Sequence, residues 1–330
     1  MEKVYEFTAA YGMDPYSRPN MMFVPNPSPT AQGGVLAVGY ENPMLTYLLP
    51  WSSGGSAGLS APASATSDPV FFGYFGDPAV NPRFPVVLMG DLLNPNVELY
   101  IYNTAMTVTT YYPLNLVENR TGLLAEDLYI LGLHLYPHPD PTRMWVHILA
   151  SHVDPVDPAQ KRIYELAYIV DTAGTMTYAY NINSLRFGLP EDPPPAIPAD
   201  EDFIPLKVGY FHSPATRRSY INFKSGGEYR TTTWPASSEG AAEIPVREKI
   251  LAVLATGEVL TRDGTYGVVY GPLGDRKYKF PLGELLFGYE TVVGGRPTLF
   301  FSRMYRDENS GGNAAFAVYA IPTADLGRLR

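Results

Sequence analysis

Two sets of residues in this sequence have types and spacing that could do chemistry. The first is set by a recurring phrase of an apolar residue, a glycine and a tyrosine. It occurs at Val38-Gly39-Tyr40, Phe72-Gly73-Tyr74, Val208-Gly209-Tyr210 and Phe287-Gly288-Tyr289, with Leu131-Gly132-Leu133 as a degenerate copy. Side chains alternate along a strand, so the residue two places after each glycine shares its face. Those residues are Glu41, Phe75, His134, Phe211 and Glu290. If the glycines line a common axis, Glu41, Glu290 and His134 converge on it as catalytic candidates. Two carboxylates and an imidazole can hold a divalent cation or do general acid–base work. The plainer account makes them the lining of a wet pore, paired with water or arginine.

The second set is a run of histidines. His134, His138, His147 and His152 are four of the five in the chain, and Asp140, Asp154 and Asp157 lie among or just after them. His134, His147 and His152 are the metal-ligand candidates, because a zinc site needs three or four converging donors. Whether His134 and His147 share a face depends on the register across Pro137 to Arg143, which the sequence leaves open. Chance clustering on one sheet carries more weight than a metal site, and no cofactor is expected. Aromatic residues of the recurring phrase form a further group: Tyr40, Tyr74, Tyr210, Tyr289, Phe75 and Phe211. A rigid ring with a polar tip suits a binding surface, although filling space between sheets explains aromatics equally simply.

Several chemistries are excluded or disfavoured. The chain has no cysteine, which removes disulfides, thiol catalysis and thiolate metal sites. It carries a net charge of -9 with a pI near 5.1 and no basic stripe, so nucleic-acid binding is not expected. No phosphate-cradling glycine loop, no Gly-x-Ser-x-Gly elbow and no His-Glu-x-x-His is present.

These residues must be positioned by strands. The 330 residues include 25 Tyr, 32 Pro and 30 Gly with only 17% charged residues, a composition that favours short strands joined by turns. The best helical fragment is the short stretch 121–127. Apolar runs ending in a proline or polar turn recur at Leu49-Pro50, Tyr112-Pro113, Ile182-Asn183, Trp234-Pro235, Phe280-Pro281 and Ile321-Pro322. They divide the chain into units at 1–50, 69–113, 127–183, 203–235, 247–281 and 284–322. The Ser/Gly/Ala/Pro stretch 52–68 and the acidic, proline-rich stretch 189–202 read as loops. The last unit shows only three clear strands, and Val4 to Thr8 can supply the fourth.

Repeated units of this size with three or four strands each resemble β-propeller blades. The resemblance is to the architecture over most of the chain and to no single family. It implies an all-β, single-domain propeller, with six blades of three to four antiparallel strands as the leading expectation. Five or seven blades, or two packed β-sandwiches, are the alternatives. Function is expected to be non-catalytic: a binding or assembly module with protein partners. The composition also weakly resembles a virus or phage structural component. The alternatives are a hydrolase acting on a glycan or lactone through the axial carboxylates, with a glycan as ligand, and an intracellular adaptor. The N-terminal stretch has no apolar leader and no run is long enough to span a membrane, so synthesis in the cytoplasm is expected, with a virion as a further destination.

Overall fold

The structure is a computed structural model. It describes residues 1–8, 20–25, 34–39, 47–49, 70–73, 75, 84–89, 97–102, 108–114, 128–153, 160–188, 209–225, 227–235, 242–283, 285–293, 295–307 and 313–329. Loops 52–68 and 189–202 and the helical fragment 121–127 lie outside them, as do Tyr40, Glu41 and Tyr74.

The described residues form six antiparallel sheets. The chain opens with β1 (Glu2–Thr8). Sheet 1 follows as β2 (Asn20–Pro25), β3 (Gly34–Gly39) and β4 (Tyr47–Leu49). Sheet 2 is β5 (Val70–Phe72), β6 (Phe84–Met89), β7 (Val97–Tyr102) and β8 (Val108–Leu114). Sheet 3 has the longest strands: β9 (Leu128–Pro137), β10 (Arg143–Val153), β11 (Gln160–Asp171) and β12 (Met176–Gly188). Sheet 4 is β13 (Gly209–Ser213), β14 (Arg218–Ser225), β15 (Glu228–Pro235) and β16 (Ala242–Ile244). Sheet 5 is β17 (Lys249–Val253), β18 (Val259–Asp263), β19 (Tyr266–Tyr270) and β20 (Arg276–Pro281). Sheet 6 holds β21 (Leu286–Val293), β22 (Arg296–Asp307) and β23 (Asn313–Pro322).

Each sheet is a simple meander, and sheet 6 is completed from the far end of the chain. Its order is β1-β23-β22-β21, with Glu2 opposite Ala320 and Thr8 opposite Ala315. This pairing joins the two ends of the described chain and covers the edge that β23 would otherwise expose. The segment read as a fourth strand for the last unit, Val4 to Thr8, lies within β1.

Arrangement of the sheets follows from which first strands touch. β2 lies against β5, β5 against β9, β9 against β13, β13 against β17, β17 against β21, and β21 against β2 again. Six first strands therefore make one closed ring, with each meander running outward from it. That is a six-bladed β-propeller, as the sequence repeats led us to expect.

Apolar side chains fill the seams between blades. Tyr220 and Ile244 of sheet 4 pack with Ile250, Val259, Val268 and Tyr270 of sheet 5. Leu260, Val269 and Phe280 of sheet 5 pack with Leu299, Phe301 and Ile321 of sheet 6. Each such side chain removed from water stabilises the fold by about 1.5–3 kcal/mol. The helix seen among the described residues is a 3-10 turn, Thr323–Leu329, which buries Leu326 in the same cluster. The sequence reading missed it because seven residues containing Gly327 show no helical periodicity.

Polar staples cross the seams as well. Asn222 of β14 is buried, and its Nδ2 donates to Glu248 O at 3.1 Å and to Thr231 Oγ1 at 2.9 Å. Its Oδ1 accepts from the Ile250 N–H on sheet 5.

Candidate functional site

Alternation along β13 shows how the seams are built. Tyr210 and His212 turn to sheet 3, where the Tyr210 hydroxyl reaches Glu165. Phe211, between them, packs on the cluster shared with sheet 5. Inner-strand side chains therefore project towards the two neighbouring blades. At His134, Phe211 and Glu290 the position two after the glycine lies at a seam, where the sequence reading put it on the axis. Gly73 gives the physical reason for the glycine itself: a Cβ there would stand 2.7 Å from Met144 Sδ and 2.8 Å from Leu135 Cβ, both on sheet 3. The missing side chain lets sheets 2 and 3 approach.

The seam between sheets 3 and 4 holds a concentration of polar groups. On sheet 3, His134 of β9 and His147 of β10 are directly paired, so they share a face. Leu149 of β10 is paired with Glu165 of β11, and alternation puts Glu165 on that face too. Tyr136 and Trp145, also a directly paired couple, lie beside them. From sheet 4 come Tyr210 and His212 of β13 and Ser219 of β14, with His212 directly opposite Ser219.

These groups are bonded to one another. Tyr210 and Ser219 both donate to Glu165 Oε1. Ser219 Oγ lies 2.8 Å from His212 Nδ1. Because the Ser219 proton is given to the carboxylate, Ser219 accepts from His212, and the His212 proton sits on Nδ1. The backbone N–H of His212 donates to His134 Nδ1 at 2.9 Å, which ties β13 to β9. Tyr136 Oη lies 2.9 Å from His147 Nε2. The His147 and His212 rings are 4.3 Å apart between centroids.

Burial sets the charge state of this seam. His147 and Glu165 are fully buried and His212 is nearly so. Burial, and then the neighbouring His212, lower the pKa of His134 to about 3. Burial, His212 and His134 hold His147 well below the usual histidine range. Both imidazoles are neutral at pH 7. Burial and the Glu165 carboxylate push the Tyr210 hydroxyl well above its ordinary value, so it stays a donor.

The structure gathers some of the sequence candidates and separates others. His134 and His147 meet at this seam, while His152 lies further along β10, opposite Leu128. Glu290 of β21 is at the seam between sheets 5 and 6. Its Oε2 accepts from the Ala255 N–H and its Oε1 from the Thr323 hydroxyl. Burial raises its pKa. The phrase containing Glu41 ends β3, which is the middle strand of its sheet and not the innermost; Glu41 itself is outside the described residues. Glu290 and His134 therefore occupy different seams, which separates the pair drawn together by the axial reading. Among the aromatic candidates, Phe75 and Tyr210 are buried and present no outer surface. Phe211 is half-buried, with its ring centroid 6.0 Å from that of His134. Tyr289 lies in β21, and nothing of its side chain is described.

Glu165, His212 and Ser219 were not found by sequence reasoning. Glu165 carried a signal: a carboxylate inside the run Ile163 to Val170, where alternation gives it a buried face. His212 follows the third copy of the recurring phrase and lies 78 residues from His134, so only the blade order brings the two together.

No protein-family model matches the chain, and no curated protein matches it. Solved structures of similar overall path include regucalcin, a calcium-binding protein from Agrobacterium tumefaciens. It has 12% identity and a TM-score of 0.45, with 92% of each chain covered. The Dos1 propeller has 12% identity and a TM-score of 0.37, covering 86% of this chain and 64% of that one. BBS1N, in complex with ARL6DN, has 11% identity and a TM-score of 0.40, covering 99% of this chain and 100% of that one. No residue role is carried over from any of them. The propeller assignment stands on the sheet order and the ring of first strands.

Proposed function

We propose that this chain is a non-catalytic propeller that serves as a protein-binding module. The observation that carries the reading is where the acid–base groups are spent. Both Glu290 oxygens accept hydrogen bonds at the sheet 5–6 seam. His134 Nδ1 accepts the His212 N–H across the sheet 3–4 seam. Both side chains fasten the ring, and neither converges with the other on a common substrate position. A rigid closed ring built this way is suited to holding exposed loops for a partner at low ordering cost. A component of a larger particle and a free adaptor are two forms such a module takes.

The test uses the protein that co-isolates with the chain from its source. Titration of that protein against wild-type chain, Glu290→Gln and His134→Gln is expected to give affinities within about twofold, provided each variant keeps its strand spectrum. If the variants keep their fold and instead abolish turnover of a glycan or lactone, the binding-module reading is wrong.

A further inference from the structure

The sheet 3–4 seam contains an unsatisfied group that the hydrogen-bond network does not explain. Among the described residues, His147 Nδ1 is buried and has no hydrogen-bond partner. Leaving a buried polar atom unpaired is costly, and such an atom in a native fold calls for a ligand, an ion or a water. The other ring nitrogen, Nε2, faces Tyr136 Oη at 2.9 Å. With the proton on Nε2 and donated to Tyr136, Nδ1 carries a lone pair. This is the usual arrangement of a metal-bound histidine, whose second nitrogen donates to an outer partner that fixes the tautomer.

Two further donors stand close by. One ligand atom each from His147, Glu165 and His212 lie within 4.8 Å of one another, and all three residues are buried. His212 Nδ1 and Glu165 Oε1 are 3.7 Å apart. Around a tetrahedral zinc with bonds near 2.1 Å, ligand atoms stand roughly 3.4 Å apart. The His212–Glu165 separation already nearly matches that value.

We infer that His147, Glu165 and His212 bind one divalent transition-metal ion, of the zinc class, between sheets 3 and 4. Two imidazoles and one carboxylate suit zinc and disfavour calcium or magnesium, which take oxygen ligands. Ser219, which donates to Glu165 Oε1 and accepts from His212 Nδ1, gives up both contacts when the ion enters. His212 changes tautomer in the same exchange: the Nδ1 proton is lost and one is taken up at Nε2, so the ring stays a neutral imidazole with its Nδ1 lone pair on the ion. The fourth position falls to water or to a hydroxyl of Tyr210 or Ser219. Sheet 3 supplies two ligands and sheet 4 the third, so the ion pins two blades. This inference does not depend on the binding-module reading.

The experiment strips the full chain with a chelator, dialyses it, and titrates it with zinc and separately with cobalt. Native mass spectrometry then reads the number of ions, and the visible absorption of cobalt reads its coordination. One equivalent of zinc is expected, with an intense four-coordinate cobalt spectrum and a higher Tm for the loaded protein. Glu165→Gln and His212→Gln should weaken zinc binding at least tenfold, while His138→Gln, outside the ligand set, should not change it. If the variants fail to fold, the wild-type result alone decides. Stripped and reloaded wild-type chain that takes up no stoichiometric zinc, or a cobalt spectrum of a six-coordinate aquo ion, overturns the inference. So does binding that is unchanged in folded Glu165→Gln and His212→Gln.

Discussion

Asn222 Oδ1 accepts the backbone N–H of Ile250 at 3.0 Å, so a side chain of sheet 4 completes the hydrogen bonding of the first strand of sheet 5. The same amide donates to Glu248 O, and Thr231 Oγ1, itself bonded to Asn222, donates to Val246 O at 3.0 Å. The connection from sheet 4 into β17 is thus held by one buried polar group. Asn222→Ala would leave the Ile250 N–H and the Glu248 carbonyl without these partners. A loss of about 2–4 kcal/mol is expected, since each buried unsatisfied group costs about 1–3 kcal/mol. Chemical denaturation measures it, and a loss under about 0.5 kcal/mol would show that water takes over the role.

Gly73 tests the close approach of sheets 2 and 3. Its Cβ position is 2.8 Å from Leu135 Cβ, an atom that cannot move without its strand. Gly73→Ala should destabilise the fold by about 1–3 kcal/mol, as overpacking of a filled interior does. A thermal melt indistinguishable from wild type would mean the blades do not meet there.

Closure of the ring rests on β1. Removing residues 1–8 strips β23 of its partner from Glu2–Ala320 to Thr8–Ala315 and opens a long sheet edge. The truncated chain should melt earlier and aggregate on heating. A synthetic peptide of residues 1–8 should restore the melt by adding back as a strand. Truncation without effect on melting or solubility would contradict the closure.

Stability should depend on pH through the buried histidines. His134 has a pKa lowered to about 3, and His147 is also held well below the ordinary value. Below about pH 6.5 the unfolded chain takes up protons on both that the folded chain refuses. The unfolded state then binds more protons, so stability rises with pH and is lost as pH falls from about 6.5 towards 3. The slope approaches about 1.4 kcal/mol per pH unit for each histidine that stays neutral in the fold. Denaturation series at pH 7, 6, 5 and 4 should show this fall, reduced in His147→Gln. A flat profile down to pH 4 would place both imidazoles in solvent.

Much of the architecture was legible because period and punctuation are local. The runs Val97 to Asn103 and Thr107 to Tyr112, parted by a short turn, read as two strands, and the structure makes β7 and β8 neighbours there. Val4 to Thr8 was legible as a closing strand because the last unit lacked one. Facing was not legible. Whether Phe211 or His212 turns to sheet 3 depends on how blades stack, which no strand carries within itself. The sequence placed His134 and His147 on neighbouring strands but left their register open, and the observed direct pairing comes from the β9–β10 ladder. Glu165 joins them through the β10–β11 ladder of the same sheet, and His212 only through blade order, 78 residues from His134.

The reading of this ring as a binding module is tested most directly by the native mass of the endogenous chain in a gentle extract of its source. The account predicts a discrete complex well above the 36.3 kDa of one chain, containing a second protein in fixed ratio. A free 36.3 kDa monomer that turns over a small substrate would contradict it.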